Sequence, residues 1–235
     1  MNTKVVTIHQ PNYAPWTGFF DKLAQADVFV LLDTVPYTKG GFQNRVKVMG
    51  SAGPQWLTVP VLTKGLLGQA TSEVRVDDLK GWRETHMKTL RTLYSRAPHA
   101  DEMFALVEPA VASGSDRLAD ICTDLIGRIV RRFGFDTELV LASRMGITGS
   151  SSQLLADIVT ECGGTTYLSG PSGRSYLDEE LFTQRGIGVE YHSFVPRPYD
   201  QGREGFIGGL SILDAVAHLG FVPDWRGEGE QAPLR

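Results

Sequence analysis

An opening segment of eight residues concentrates polar and aromatic side chains between a predicted strand and a predicted helix. Its two prolines restrict the backbone of the loop. His9 has a side chain that titrates near neutral pH, so it can accept a proton from a reacting group. The segment therefore predicts a site of acid–base chemistry, the alternative being that His9 ends a strand and the prolines shape a turn. The eight residues are His9-Gln10-Pro11-Asn12-Tyr13-Ala14-Pro15-Trp16.

A second segment, residues 33–47, places a carboxylate at the end of a predicted strand and three cations after it. The carboxylate is that of Asp33, and the cations are Lys39, Arg45 and Lys47. Cations at this spacing suit a phosphate or pyrophosphate, although an ordinary solvated basic face has the same pattern. Because ligands of parallel sheets bind at the carboxyl ends of the strands, we expect His9, Asp33 and Arg45 to lie close together.

Two later segments add polar groups at the ends of predicted strands. Ser169 is followed by a glycine-containing turn that matches neither a phosphate-binding loop nor a nucleophile elbow. Tyr199 and Gln201 follow the last predicted strand. We expect them to reach over the edge of the sheet.

Cysteine and metal chemistry have weak support in the sequence. Cys122 falls on the apolar side of a predicted helix, and Cys162 has no recognisable activating neighbour. We therefore expect neither thiol to be a nucleophile. No pair of histidines or carboxylates has the spacing of metal ligands, so we expect no metal.

Composition limits the class of protein. The 235 residues are 42% hydrophobic, which excludes low-complexity disorder, and their net charge of −4 argues against duplex DNA as a partner. The longest aliphatic or aromatic run, residues 28–32, is too short to cross a membrane, and no apolar stretch of signal-peptide length stands at the N-terminus. With two cysteines only, the sequence predicts a cytoplasmic protein without a membrane partner.

The pattern of elements predicts an α/β fold with a parallel-stranded, doubly wound sheet. Predicted strands fall at 5–8, 27–33, 137–142, 165–169 and 187–194, and predicted helices between them fall at 16–26, 150–162, 177–185 and 210–219. An antiparallel hairpin with strands at 42–48 and 56–62 is predicted within an insert at about 40–76. A helical insert is predicted at about 80–134, with helices at 82–94, 99–112 and 117–133. We expect residues 1–222 to form a single domain and residues 223–235 to be a loose tail.

Residues 9–22, which include the opening segment, resemble the opening signature of the WbqC-like family. Supporting motifs stand at 42–45, 56–61, 167–171 and 210–214, so the resemblance runs from about residue 5 to residue 222. Two positions depart from the family pattern. Ala14 stands where members often have Leu, and Gly40-Gly41 stands where they often have a longer basic or aromatic stretch.

The resemblance implies an amide-forming aminoacyl or acyl transferase. Such an enzyme moves an activated amino acid, such as glycine, onto an amine of a sugar or a specialised metabolite. The implied donor is a thioester on the phosphopantetheine arm of an acyl or peptidyl carrier protein, with aminoacyl-tRNA less favoured, and no tightly bound cofactor is expected.

For this reaction we expect His9 to accept the proton of the amine and Asp33 to orient His9 or the amine. The expected substrate-binding residues are Gln10, Asn12, Tyr13, Lys39, Gln43, Asn44, Arg45, Lys47, Ser169, Tyr199 and Gln201. Two alternatives stay open. One is an ATP-dependent nucleotidyl transferase or ligase, since the opening segment is loosely similar to pantothenate synthetase-type enzymes but lacks their second histidine. The other is a non-catalytic module that binds a biosynthetic intermediate.

Overall fold

The computed structural model describes residues 3–223 and 225. Seven strands in this part of the chain form two sheets, one of five parallel strands and one of two antiparallel strands. The strands are β1 (Val5–His9), β2 (Val28–Leu31), β3 (Arg45–Gly50), β4 (Gly53–Thr58), β5 (Glu138–Leu141), β6 (Thr166–Ser169) and β7 (Gly188–Tyr191). The mixed α/β class and the parallel sheet predicted from the sequence are thus confirmed.

The parallel sheet has the strand order β5-β2-β1-β6-β7. The chain therefore places β2 and β5 on one side of β1, and then β6 and β7 on its other side. The order reverses between β1 and β6, and the crevice at such a reversal is where doubly wound sheets bind their ligands. Pairing between β1 and β6 extends to Thr7 and Leu168.

Helices cover both faces of this sheet. They are α1 (Thr17–Ala24), α2 (Trp82–Tyr94), α3 (Ala100–Val111), α4 (Leu118–Phe133), α5 (Ser151–Glu161), α6 (Glu179–Thr183) and α7 (Ile212–Leu219). Alternate residues of β2 enter different cores: Phe29 and Leu31 pack with the larger cluster, whereas Val28 and Val30 pack against α5 and α6. Helix α1, the helical insert and α7 belong to the larger cluster. This continuous apolar packing explains why the strands read as unbroken hydrophobic runs.

Strands β3 and β4 form the expected hairpin, but its strands and turn differ from the prediction. The strands cover 45–50 and 53–58 rather than 42–48 and 56–62. The prediction treated residues 49–54 as the turn, whereas Met49 pairs with Pro54 and Gly50 with Gly53, so the turn shrinks to residues 51–52. Gly53 has a φ of +125°, which only glycine adopts readily, and this lets the ladder continue to the tip. The pairing leaves Lys47 opposite Trp56 on the outer face.

The three helices of the insert lie within one residue of their predicted bounds, at 82–94, 100–111 and 118–133. Among residues 3–223 and 225, no helix has both the length and the apolar composition needed to cross a membrane. Most of the predicted loose tail, residue 224 and residues 226–235, lies outside the described residues.

Candidate functional site

A cavity of about 440 Å³ lies at the carboxyl end of β1. Three segments that are distant in sequence line it: the opening loop after β1, the region at the start of β3, and the loop before α7. The described lining residues are His9, Asn12, Tyr13, Pro15, Trp16, Phe42, Arg45, Val46 and Gly209. The structure therefore brings together four of the residues that the sequence suggested, namely His9, Asn12, Tyr13 and Arg45.

The opening loop is fixed by hydrogen bonds to both other segments. The Tyr13 amide donates to the carbonyl of Gln43 at 3.1 Å. Ser211, which is fully buried, donates from Oγ to the carbonyl of Ala14 at 2.8 Å. Ala14 itself has a φ of +43°, a left-handed conformation that costs energy for a residue other than glycine. Hydrogen bonds from the two other segments thus hold the loop in a strained conformation.

Trp16 forms one wall of the cavity and is 39% exposed. Its ring folds back over the first turn of α1, where a Cβ at Gly18 would lie only 2.4 Å from the ring atoms. Any larger residue at position 18 would therefore displace the indole. The ring also contacts Phe194 edge to face, with centroids 5.5 Å apart. Glycine at position 18 is needed for packing at this wall.

His9, the last residue of β1, is held in one tautomer. Its Nδ1 lies 3.0 Å from the carbonyl oxygen of Gln10. A carbonyl cannot donate, so Nδ1 carries the proton and Nε2 keeps its lone pair. Burial lowers the pKa of His9 from 6.5 to about 3, and the positive charge of Lys22 acts in the same direction. His9 is therefore a neutral imidazole at physiological pH with Nε2 ready to accept a hydrogen bond.

Lys22 is a residue that the sequence reasoning missed. It lies on α1 and is only 4% exposed, and its Nζ donates to the carbonyl of Ile8 at 3.1 Å. Burial lowers the pKa of Lys22 from 10.5 to about 7. Within the described residues it forms no ion pair with a carboxylate. The one signal in the sequence was its place in the opening signature, residues 9–22, beside apolar helix positions.

Asp33 is buried and does not line the cavity. Both of its carboxylate oxygens are engaged by Ser143: the Ser143 amide donates to Oδ1 at 2.9 Å and the hydroxyl donates to Oδ2 at 2.6 Å. This arrangement ties the end of β2 to the turn that follows β5. The contacts give Asp33 a structural task, joining two neighbouring strand ends, and they occupy the oxygens that would orient His9.

Gln43 and Asn44 are buried, and their amides are used within the protein. Gln43 donates to Thr71 Oγ1 at 3.1 Å and accepts from the amide of Thr38 at 2.9 Å. Asn44 donates to the carbonyl of Val59 at 2.8 Å, and its Oδ1 accepts from the hydroxyl of Tyr37. Both residues shape the loop that leads into β3, so they position Arg45 rather than offer free groups to a ligand.

Arg45 is oriented by the glycines that precede it. Its Nε donates to the carbonyl of Gly41 at 3.3 Å, and its Nη2 donates to the carbonyl of Gly40. The guanidinium also lies over the ring of Trp56, 4.2 Å from the centroid. Lys47 approaches the same ring at 5.4 Å. Lys39 is exposed on the loop before these residues.

Tyr199 and Gln201 meet at a buried carboxylate instead of reaching over the sheet. The Tyr199 hydroxyl donates to Asp214 Oδ2 at 2.7 Å, and Gln201 Nε2 donates to the same oxygen at 2.9 Å. The hydroxyl of Tyr94 donates to Oδ1 at 3.0 Å. Burial and the charge of Asp214 raise the pKa of Tyr199. Neither Tyr199 nor Gln201 is among the described lining residues of the cavity.

The remaining predicted residues have local partners. Ser169 is buried, and its Oγ donates to the carbonyl of Gly170 at 3.1 Å. Gln10 accepts from His9 through its backbone carbonyl.

The Tyr13 hydroxyl lies 3.1 Å from Nδ1 of His86, whose Nε2 donates to the carbonyl of Thr58 at 2.9 Å. Tyr13 is therefore the donor to His86, which fixes its ring in the cavity wall.

Burial raises the pKa of both cysteine thiols. Cys122 is fully buried and lies 3.5 Å from the carbonyl of Gln43, to which its thiol donates. These surroundings disfavour a thiolate at either position. In the part of the chain that is described, no group of three or more His, Cys, Asp or Glu side chains is placed to hold a metal ion.

Comparison with known proteins adds two findings. Residues 10–222 match the model of the WbqC-like protein family. The chain is also 34% identical over 225 residues to the uncharacterized protein Rv1507c of Mycobacterium tuberculosis (strain ATCC 25618 / H37Rv), a match that covers 94% of this chain and 97% of that protein.

Proposed function

The chain belongs to the WbqC-like protein family, and from this we propose that it is an amide-forming aminoacyl or acyl transferase whose reaction takes place beside His9. The donor is an activated amino acid, such as glycine, held as a carrier-protein thioester. The acceptor is an amine of a sugar or of a specialised metabolite. Aminoacyl-tRNA is the less favoured donor.

The observation that carries this proposal is the state of His9. A thioester is already activated. The protein must therefore position a neutral amine, accept its proton and stabilise the developing oxyanion. A neutral imidazole with Nδ1–H fixed on Gln10 offers Nε2 as an acceptor for the N–H of the amine. The amine nitrogen forms the new C–N bond, and the C–S bond to the carrier then breaks.

Because the pKa of His9 is about 3, His9 transfers the proton of the amine onward and does not retain it. A protonated His9 would be a strong acid, so it would pass its proton at once to the departing thiolate. The thiol and the amide are then the products, and His9 returns to its neutral form. Lys22 favours this cycle because its charge disfavours a lasting imidazolium.

Arg45 supports a carrier-bound donor. It lies at the cavity, and Lys39 and Lys47 are exposed in the same region of the chain. Together they suit the phosphate of a phosphopantetheine arm or the acidic surface around it. A cytoplasmic location follows from this role, because carrier proteins and their adenylating enzymes work there.

The test is mass spectrometry of the purified full chain incubated with a glycyl-carrier thioester and a panel of amines. A new glycyl amide with release of carrier thiol is the expected result. His99→Gln, at a half-buried histidine before α3 that is not among the described lining residues of the cavity, is the matched control for His9→Gln. Product that forms only with free amino acid and ATP, with release of AMP or ADP, would replace this proposal with a ligase. If no donor gives a product, the protein is a non-catalytic module that binds a biosynthetic intermediate.

A further inference from the structure

We propose that the cavity beside His9 selects a reactant with a largely apolar body and one anionic head, and that the head binds Arg45. This inference rests on the proposed function for the identity of the reaction, but it concerns binding alone. It refines the substrate class, because neither glycine nor an uncharged sugar ring has both features.

The first support is the composition of the cavity wall. Most of its described lining residues are apolar or aromatic: Tyr13, Pro15, Trp16, Phe42 and Val46. A sugar ring has few polar partners in such surroundings, and each hydroxyl that loses water without gaining a partner is costly. Aromatic walls favour flat or branched apolar groups. The body of the reactant is therefore apolar.

The second support is the orientation of Arg45. Its Nε and one N–H of Nη2 are used on the carbonyls of Gly41 and Gly40. The other edge, formed by Nη1 and the second N–H of Nη2, forms no hydrogen bond with the described residues. A guanidinium edge of this kind binds a carboxylate or phosphate through two parallel hydrogen bonds.

The third support is that Arg45 is held in place before any ligand arrives. Gly40 has a φ of +82°, which turns its carbonyl toward the guanidinium. Trp56 supports the flat face of the same group at 4.2 Å. A side chain that is already ordered loses less entropy when it binds, so its charge contributes more to affinity.

The charge of the cavity has one sign. Among the described lining residues there is no carboxylate, His9 is neutral, and Arg45 carries the positive charge. An anionic head therefore meets an uncompensated cation, whereas a cationic head would be repelled. Two sources supply such an anionic head: the phosphate of a phosphopantetheine arm, and the carboxylate of a small-molecule reactant.

The experiment compares paired probes by isothermal titration calorimetry on the full chain, without any turnover. One pair is 4′-phosphopantetheine and pantetheine, and the other is 3-phenylpropionate and 3-phenylpropanol. We expect the anionic member of at least one pair to bind about tenfold more tightly than its neutral partner, a difference typical of a charge-assisted contact. Preference within the first pair alone identifies the carrier arm, and preference within the second alone identifies a small carboxylate.

The variants separate Arg45 from the overall charge. Arg45→Gln should abolish the preference, Arg45→Lys should keep part of it, and Lys88→Gln, which removes an exposed cation from α2, should keep all of it. Circular dichroism confirms that each variant is folded. Equal affinity for both members of each pair, or a full preference in folded Arg45→Gln, would overturn the inference. A preference without transferase activity would instead refute the proposed reaction and leave the binding site standing.

Discussion

The Nζ of Lys22 donates to the carbonyl of Ile8 at 3.1 Å, and this contact places an amine where β1 and β6 separate. Carbonyls alternate in direction along a strand. Since the carbonyl of His9 accepts from Leu32 on the β2 side, that of Ile8 points toward β6. Pairing with β6 ends at Thr7, so Lys22 takes the position that the next ladder bond would occupy. The switch point of the sheet thus contains a buried amine beside His9.

The first prediction concerns the stability cost of Lys22. Its folded-state pKa of about 7 lies below the ordinary 10.5, so between these values the unfolded chain holds a proton that the folded chain lacks. Stability therefore rises with pH in this window. Lys22→Met removes this dependence. Between pH 7 and pH 9.5 the wild type should gain about 3 kcal/mol relative to the variant, at about 1.4 kcal/mol per pH unit.

Urea unfolding of both proteins at the two pH values measures this gain. Lys88→Met, which removes an exposed lysine from α2, is the control and should show no such relative change. The same difference in the free energy of unfolding between wild type and Lys22→Met at both pH values would contradict the prediction. It would mean that folding does not lower the pKa of Lys22.

The second prediction concerns the protonation of His9. Because burial lowers its pKa to about 3, the ring should stay neutral from pH 8 to pH 5. The unfolded chain protonates near 6.5, so His9 contributes a loss of stability as pH falls from 6.5 toward 3. NMR of ring-labelled histidine, with His9 assigned by its absence in His9→Gln, follows the titration directly. A midpoint near 6.5 for that resonance would contradict the neutral relay.

The third prediction separates proton transfer from positioning at His9. If His9 relays the proton, His9→Ala should lower kcat by roughly 10²–10⁴-fold, and His9→Gln should lose almost as much. Gln accepts a hydrogen bond but does not become protonated at neutral pH. Retention of most activity in His9→Gln, with the change confined to KM, would instead mean that His9 only positions the amine. The measurement is steady-state kinetics of the transfer.

The fourth prediction concerns the carboxylate of Asp214. Tyr94, Tyr199 and Gln201 all donate to it, and Asp214 is fully buried. Asp214→Asn replaces one accepting oxygen by an amide nitrogen, so at least one donor loses its acceptor. We expect a loss of about 2–4 kcal/mol in the free energy of unfolding, measured in urea. Asp200→Asn, at an exposed residue between Tyr199 and Gln201, should cost much less.

Much of the fold could be predicted because the sheet is covered on both faces. Its strands are short apolar runs bounded by glycine or polar residues, and all five lie within about three residues of their predicted positions. The hairpin was less predictable at its tip. A run of turn-forming residues does not reveal that Gly50 and Gly53 pair across the ladder.

The candidate site was predicted in part, for a physical reason. His9, Asn12 and Tyr13 are neighbours in sequence, so the end of one strand brings them together. Lys22 could not be recognised, because a lysine on an amphipathic helix ordinarily faces water. Its contacts, the carbonyl of Ile8 and the ring of Phe29, are a backbone group and an apolar ring that do not mark a lysine for burial in the sequence.

The polar residues that did not join the cavity illustrate the same limit. Asp33 and Tyr199 have side chains suited to binding a ligand, but their partners, Ser143 and Asp214, lie in other segments. Sequence identifies a group that needs a hydrogen-bond partner. It does not say whether the protein or a ligand supplies that partner.

The contact between Ser211 and Ala14 makes the cavity depend on two segments that are far apart in the sequence. The two residues are separated by 197 positions, and Gly209, just before Ser211, lines the cavity. The opening loop therefore keeps its strained shape only where the segment before α7 has packed against it. Long-range tertiary contacts thus complete the cavity wall, which the strand–loop–helix unit containing His9 does not form by itself.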